Sequence, residues 1–313
     1  MPVMKSTRHT RRIRSFDDAV PYLMILPALI AVCIVSLYPS IRSITMSFFN
    51  INLLRPQRPF VGLGNFREFF ANATNLRVLF NTLFWAVTSV VLGTMIAMLT
   101  AVQLNKPFRG RSAFRSLFLT PWVTPPVVVA SLWTVLLNRD LSPINGLLLA
   151  LGLIKTPIAF LADPTMYFGF LSKPMLTLLV INFWNMQPFM IVMLLAGLQT
   201  VPAELYESAT MDGASRSRQF RHITLPLMVP IIETTLLLQC IWQFNGFNLS
   251  YLVTKGGPLN TTELMAVRVY TESMIKFKYG YGAAISVIMV LVTAVPAALY
   301  ISRIIRHQDD FVL

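Results

Sequence analysis

Six long stretches of the chain contain almost no ionisable side chain, and each runs for at least 22 residues. A helix needs about 20 residues to cross ~30 Å of hydrocarbon at ~1.5 Å per residue. Backbone groups in lipid must be hydrogen-bonded within their own segment, so apolar runs of this length are helical. The pattern predicts an all-α, polytopic membrane bundle of six transmembrane helices, over residues 20–41, 78–102, 116–138, 174–199, 223–247 and 279–302.

The remaining apolar run, 141–154, contains Pro143 and Asn145 and is too short to span, so we expect a surface or partly re-entrant helix there. Residues 20–313 form one membrane domain, because the longest stretch between predicted spans has 36 residues. Two of these connecting stretches, 55–65 and 254–260, are rich in Gly and Pro and are candidates for a binding face.

Composition agrees with a membrane protein. Only 12% of residues are charged and the mean hydropathy is +0.62, whereas soluble proteins carry about 25% charged residues. The net charge of +13 is distributed as membrane topology requires rather than interleaved with aromatic residues, so we expect no nucleic-acid binding. The two cysteines, Cys33 and Cys240, lie in predicted spans and predict neither a disulfide nor a metal site.

Basic residues set the orientation. If the N-terminus is cytoplasmic, 14 Lys or Arg fall within the 62 residues of the inner stretches 1–19, 103–115, 204–222 and 303–313. The outer stretches 42–77, 139–173 and 255–278 hold 12 in 95 residues. The positive-inside rule therefore places both termini in the cytoplasm, with residues 1–19 as a basic cytoplasmic N-terminus. The first apolar run exceeds the ~7–15 residues of a signal-peptide core, so we expect it to remain as the first span.

A polar insert, residues 203–222, interrupts the apolar pattern between the fourth and fifth predicted spans. Pro202 and Glu204 suit the start of a short helix, and Asp212-Gly213 suits its end because glycine adopts the left-handed conformation without a Cβ penalty. Ser215 is a good N-cap for a second short helix, which we expect to end before Leu225-Pro226. The insert is thus predicted as a helix-turn-helix at the cytoplasmic face.

The insert carries the features of a docking element for another protein. Tyr206, Ala209 and Gly213 share one face, which is predicted to point outward and where small residues allow a close approach, and Glu207, Met211 and Asp212 lie beside them. The alternative is an amphipathic helix resting on lipid headgroups, which favours bulky apolar and basic residues on opposite faces. Two acids and a helix-stopping glycine fit that alternative poorly.

The stretch "ESATMDGASRSRQFRHITLPLMVP" resembles the signature of the permease subunits of binding-protein-dependent ABC importers, E-A-A-x-x-D-G-A followed by F-x-x-I-T-L-P-x-x-x-P. Further segments, "FVGLGNFREFF", "PFMIVMLLAGLQTVPAELYE", "TKGGPLNTTE" and "YGYGAAIS", resemble the carbohydrate branch, typified by maltose and glycerol-phosphate permeases. Ser208 replaces the first Ala of the signature, a small-for-small change that should be tolerated. Ser217 lies in a stretch that in relatives often carries a tryptophan, and this departure bears on the fit to a particular ATPase.

The resemblance implies that the insert is a coupling helix seated in a cleft of an ATPase subunit. Glu207 would make the polar contact and Gly213 would permit the turn; the ATPase-coupling residues implied are Glu207, Ala209, Met211, Asp212, Gly213, Ala214 and Phe220. It also implies the partners: a second homologous permease, an ATPase dimer, an extracytoplasmic solute-binding protein, the lipid bilayer and a small sugar.

The energy source must lie on another chain, because no G-x-x-x-x-G-K-[ST] motif occurs in the sequence. We therefore expect a transport subunit that is not itself an enzyme and binds no cofactor. ATP and magnesium would be used by the partner ATPase.

Polar residues within spans are candidates for the solute path, since they are costly in lipid and tend to face a cavity or another helix. Amides beside aromatic rings suit a neutral polyol, and the alternative is structural hydrogen bonding between helices. The candidates are Asn182, Trp184, Asn185 and Gln187 in the fourth span, and Gln239, Trp242, Gln243 and Asn245 in the fifth.

Glu233 is the one carboxylate in a predicted span, and helical geometry places it about 120° from Gln239, so we do not expect the two to share a site.

A secondary transporter is an alternative class, but it would need a relay of acidic or basic residues in the membrane, and Glu233 is the only candidate in the predicted spans. An amino-acid or peptide ABC permease is the nearer alternative. An intramembrane enzyme would need a catalytic pair at depth, and the spans hold no His or Asp.

Overall fold

The computed structural model describes residues 16–309, with side chains described over 20–302 apart from residues 111 and 115. The chain is mainly helical, as predicted. The helices are α1 Phe16–Val32, α2 Tyr38–Met46, α3 Gly64–Ala71, α4 Ala73–Asn105, α5 Arg111–Val123, α6 Pro126–Leu136, α7 Pro143–Ala150, α8 Lys173–Leu198, α9 Ala203–Met211, α10 Arg216–Gln219, α11 Leu225–Phe244, α12 Met265–Tyr270 and α13 Tyr279–Asp309. Strands β1 Met166–Tyr167 and β2 Leu171–Ser172 form a small antiparallel hairpin.

Within residues 16–309, five helical stretches are long and apolar enough to cross a membrane: Val20–Met46, Ala73–Asn105, Lys173–Leu198, Arg216–Phe244 and Tyr279–Ser302. They coincide with five of the predicted spans. The first is not packed into the bundle, because every residue from 20 to 42 is exposed. Its end, α2, packs on α13.

The third predicted span, 116–138, is broken rather than continuous. Helices α5 and α6 meet at an angle of 94° around Thr124-Pro125. Pro125 and Pro126 are adjacent and neither has a backbone N–H, so a straight helix would lose two hydrogen bonds at this point. Apolar composition alone did not indicate the break.

Wide π-helical turns carry two helices through a proline. Residues Cys33–Leu37 precede Pro39, and Phe220–Thr224 precede Pro226. In the second turn the N–H of Leu225 donates to the carbonyl of Phe220, five residues back. The helix beginning at Arg216 therefore continues to Phe244, and the prediction that it ends before Leu225-Pro226 is wrong.

The centre of the bundle is the packing of α4, α8 and α11. Its core near the polar insert includes Ala97, Leu194 and Met228, each with no exposed surface. Gly197 of α8 allows α11 to come close, since a Cβ there would lie 2.6 Å from Ile231 Cδ1. We call this end of the bundle the insert end and the other the loop end.

The loop end is more structured than the sequence indicated. The short run 141–154 forms helix α7, of eight residues, which is too short to span, as predicted. Residues 255–278, treated above as a connecting stretch, pack inward: Thr261, Thr262 and Leu264 are buried. Asn81 of α4 holds this segment by donating to the carbonyls of residues 260, 261 and 263.

Candidate functional site

The turn of the polar insert is built as predicted. Gly213 has φ +73, in the left-handed region, and no atom lies within 4 Å of the Cβ that another residue would add. The N–H of Ala214 donates to the carbonyl of Ala209 at 2.8 Å, and the N–H of Gly213 to that of Thr210 at 3.0 Å. This pair of bonds is a Schellman motif, which satisfies the last carbonyls of α9.

Side-chain hydrogen bonds fix α9 to the helix that follows. Ser215 caps α10 by accepting from the N–H of Arg218, as predicted. Gln219 Nε2 donates to Thr210 Oγ1 at 3.0 Å, and the hydroxyls of Tyr206 and Thr224 lie 2.8 Å apart. Tyr206 thus faces the bundle, so its predicted place on an outward face is wrong.

The predicted coupling residues divide into two groups. Glu207, Met211, Asp212 and Gly213 are exposed, with Met211 89% exposed at the tip of the turn. Ala209, Ala214 and Phe220 are half-buried. Phe220 packs against the core shared by α4, α8 and α11, so it joins the insert to the bundle. The insert is therefore a rigid, exposed polar turn anchored on the two helices it connects.

A cavity of about 440 Å³ lies toward the loop end of the same helices. Helices α4, α8 and α11 and the α5–α6 break surround it, and the turn after α11 closes one side. It brings together five of the predicted path residues: Asn182, Asn185, Trp242, Gln243 and Asn245.

Gln243 is the centre of a buried hydrogen-bond network beside the cavity. Its Oε1 accepts from Trp85 Nε1 at 2.9 Å and from Asn182 Nδ2 at 3.0 Å. Asn182 Nδ2 also lies 3.0 Å from Ser89 Oγ. Gln243 is 4% exposed and Trp85 1% exposed, so these bonds join α4, α8 and α11 through buried side chains.

Two other predicted path amides that line the cavity are engaged by the backbone. Asn185 Nδ2 donates to the carbonyl of Pro121 at 2.6 Å, and Asn245 Nδ2 donates to the carbonyl of Ile241 at 2.8 Å. Asn182, Asn185 and Gln243 thus form hydrogen bonds between structural elements. Such structural bonding was the alternative to a role in the solute path.

The remaining predicted path residues do not line this cavity. Trp184 and Gln187 line a separate apolar cavity beside α5. Gln187 Nε2 donates to the carbonyl of Gly93 at 3.1 Å. Gln239, 1% exposed, accepts from Gln243 Nε2 at 3.3 Å.

Aromatic rings form one wall of the 440 Å³ cavity. Trp122 and Trp242 belong to its lining, and both side chains are partly exposed, at 42% and 41%. Phe189, which is outside the lining, packs between them, with its ring centroid 5.5 Å from that of Trp122 and 4.7 Å from that of Trp242. The row connects α5, α8 and α11.

Sequence reasoning missed Trp122 and Asn248, which both line this cavity. The Pro125-Pro126 pair was the available signal for Trp122, because a break there turns the end of α5 inward. For Asn248 the signal was Gly246, since helix α11 ends at Phe244 and residues 245–249 after it line the cavity.

Glu233 is not among the residues that line the 440 Å³ cavity. It lines a different groove of about 310 Å³ with Cys240 and Tyr300, between α11 and α13. The hydroxyls of Thr234 and Tyr300 lie 3.0 Å apart and join the same two helices.

A buried ionic cluster stabilises the loop end. The guanidinium of Arg268 lies 3.5 Å from Glu263 Oε2 and 3.5 Å from Glu272 Oε1, and Lys276 Nζ lies 2.7 Å from Glu272. Burial raises the pKa of Glu263 above its ordinary value, and the charge of Arg268 opposes that rise. None of these residues belongs to the cavity lining, and Arg268 Nε also donates to Asn75 Oδ1 at 3.1 Å, which joins α12 to α4.

Apolar helices of spanning length, a cavity among them and an exposed polar turn that joins two of them define this chain as a membrane transport protein. Residues 76–304 match the family model "Binding-protein-dependent transport system inner membrane component". The chain belongs to this family, whose members are the membrane permease subunits of ABC importers.

Relatives match along nearly the whole chain. The trehalose/maltose transport system permease protein MalF of Thermococcus litoralis is 32% identical over 89% of this chain and 91% of its own length. The sulfoquinovosyl glycerol transport system permease protein SmoG of Agrobacterium fabrum is 30% identical over 96% of this chain and 95% of its own. A chain from the crystal structure of a bacterial ABC transporter involved in import of the acidic polysaccharide alginate superposes with a TM-score of 0.78, at 25% identity, over 93% of this chain and 96% of that one.

Proposed function

We propose that this chain forms half of the translocation pathway for a sugar or related polyol, and that ATP hydrolysis on a separate ATPase subunit drives the transport. One observation carries the proposal: the two helices that the polar insert joins, α8 and α11, also line the cavity. Helix α8 brings Asn182 to the cavity from its middle and α11 brings Gln243 from its last turn, while the insert joins the C-terminus of α8 to the N-terminus of α11. A push on the insert would therefore be transmitted along both helices to the cavity.

The sugar class is supported by the cavity and by the relatives. Side-chain amides and indole rings line the cavity, and a saccharide presents hydroxyl groups to amides and C–H faces to rings. Two of the relatives, the trehalose/maltose permease and the sulfoquinovosyl glycerol permease, are named after solutes that contain a sugar.

The exposed turn supports the coupling role. Glu207, Met211 and Asp212 project from a turn whose backbone bonds are satisfied internally, so its shape is fixed before any partner arrives. We propose that it docks in a cleft of an ATPase dimer, which would bind ATP and magnesium while this chain binds neither. A second homologous permease and an extracytoplasmic solute-binding protein would complete the assembly.

This assignment fixes the orientation. The insert end and both termini would face the cytoplasm, and the loop end would face the solute-binding protein. Closure of the ATPase dimer would move α8 and α11 together and switch the cavity between two openings.

The test uses the complete transporter and two charge reversals on one helix, Glu207→Lys and Glu204→Lys. Both carboxylates are exposed on α9, but only Glu207 lies on the proposed docking surface. We expect Glu207→Lys to abolish sugar uptake and solute-stimulated ATP hydrolysis while membrane insertion persists. Glu204→Lys should retain most of the uptake.

Normal uptake by the Glu207→Lys transporter would contradict the coupling assignment. So would nucleotide-independent uptake by the purified chain alone in liposomes, because it would show that no separate ATPase is needed.

A further inference from the structure

The 440 Å³ cavity has an uncharged lining. Its fourteen lining residues, all within the described part of the chain, include no Lys, Arg, His, Asp or Glu, although the sequence contains 26 Lys and Arg. A carboxylate, sulfonate or phosphate brought into this space would lose hydration without meeting a cation of this chain, which is strongly unfavourable.

The lining amides differ in how free they are to bind a solute. The Oε1 of Gln243 already accepts two hydrogen bonds, Asn185 donates to the Pro121 carbonyl, and Asn245 donates to the Ile241 carbonyl. Asn248 is exposed, and among the described residues its side chain makes no hydrogen bond. Its amide can donate to one hydroxyl group and accept from another, which is the pattern that a polyol requires.

Two rings of the same lining complete the recognition surface. Trp122 lies at the end of α5 and Trp242 on α11, and Phe189 packs between them and holds both rings. The faces of such rings suit the C–H groups of a pyranose, and a ring face does not attract an anion because it carries negative charge density.

We propose that the solute is a neutral saccharide or polyol, recognised by Asn248 and by the faces of Trp122 and Trp242, and that this cavity excludes anionic sugars. The inference rests on the proposed function and narrows it. Asn182, Asn185 and Gln243 then shape the cavity without being the main solute contacts.

The experiment measures ATP-driven uptake by the complete transporter reconstituted in vesicles. The probes are neutral sugars (maltose, trehalose and glycerol) and anionic ones (a glucuronate disaccharide and an alginate trisaccharide). We expect uptake of at least one neutral probe and of neither anionic probe. For the transported probe, Asn248→Ala should raise the KM about tenfold, the effect of one lost polar contact, and Asn248→Gln should restore part of the affinity.

A second experiment introduces a positive charge into the cavity lining. Asn248→Lys should weaken uptake of the neutral probe and increase binding of the anionic probes. Gln57→Lys is the matched control, because Gln57 is exposed outside the cavity lining and receives the same charge. It should leave both classes of probe unchanged.

The outcomes separate the two proposals. Uptake of an anionic probe by the unmodified transporter would overturn the neutral-solute inference and leave the sugar-permease function standing. Unchanged KM in Asn248→Ala and Asn248→Lys would overturn the recognition role of Asn248. ATP-driven uptake of no probe of either class would overturn both the inference and the proposed function.

Discussion

The side chain of Asn185 hydrogen-bonds the backbone of Pro121: Nδ2 donates to the carbonyl oxygen at 2.6 Å. In a continuous helix that carbonyl would accept from the N–H of residue 125, but residue 125 is proline and has no N–H. Asn185 therefore replaces the hydrogen bond that the break between α5 and α6 removes. An amide expected to face the solute instead supports the bend that brings Trp122 to the cavity.

Replacement of Asn185 by leucine tests this role. Asn185→Leu keeps a similar side-chain volume but leaves the Pro121 carbonyl without a donor, so we expect a loss of about 1–3 kcal/mol of stability. Thermal unfolding of the full chain in detergent would measure the change. Asn245→Leu is the control, since Asn245 is exposed and bonds only within its own helix. Equal losses in the two variants would contradict the special role of Asn185.

The hydrogen bonds of Gln243 predict a loss of stability larger than that of Asn185→Leu when Gln243 is replaced. Gln243→Leu would leave the buried donors of Trp85 and Asn182 without their shared acceptor, at a cost of roughly 2–4 kcal/mol. Trp85→Phe removes one donor and also leaves unfilled volume at a buried site, so its own cost includes a packing loss. A double-mutant cycle of these substitutions should give a coupling energy above about 0.5 kcal/mol, and additive losses would show that the bond contributes nothing.

Parts of this structure that depend on local chemistry could be predicted from the sequence. The apolar runs located the spanning helices, Asp212-Gly213 located the left-handed turn, and Ser215 located the next cap. Each of these features depends on a short segment and on its own backbone or on lipid. The helix through Pro226 is the local exception, because a π-helical turn removes the conflict that proline creates.

The features that could not be predicted depend on contacts between distant segments. Whether Asn185 faces a solute or a carbonyl depends on where the α5–α6 break lies, and the hydropathy of 116–138 does not encode that break. The inward packing of 255–278 likewise depends on Asn81, which is about 180 residues away in the chain. A single sequence shows the polar residues of a span but not their partners.

Two substitutions at Gly213 distinguish the effect of an added side chain from the effect of a deformed turn. No atom lies within 4 Å of a Cβ at Gly213, so Gly213→Ala should add only the strain of a left-handed alanine, about 1 kcal/mol, and retain uptake. Proline cannot adopt φ +73, so Gly213→Pro should deform the turn and abolish uptake without preventing membrane insertion. Uptake assays on the complete transporter, with quantified membrane insertion, would compare the two. Loss of uptake in the alanine variant at normal insertion would show that the side-chain-free surface, and not the turn, is what the partner needs.

The ionic cluster at the loop end predicts the pH dependence of stability. Burial raises the pKa of the Glu263 carboxyl above its ordinary value, so the folded chain holds that proton more tightly than the unfolded chain. Glu263 therefore stabilises the fold at pH values below the pKa that its carboxyl has in the unfolded chain, about 4.5. This stabilisation is lost as the pH rises through the higher pKa of the same carboxyl in the folded chain. Glu263→Gln resembles the protonated form at every pH, so the stability of the wild-type chain relative to this variant should fall as the pH is raised through that window. Thermal midpoints of both chains, measured in detergent from pH 4 upward, would show the divergence. A difference that shrinks as the pH rises would mean that Arg268 outweighs burial and that the carboxylate, not the acid, is the form the fold prefers.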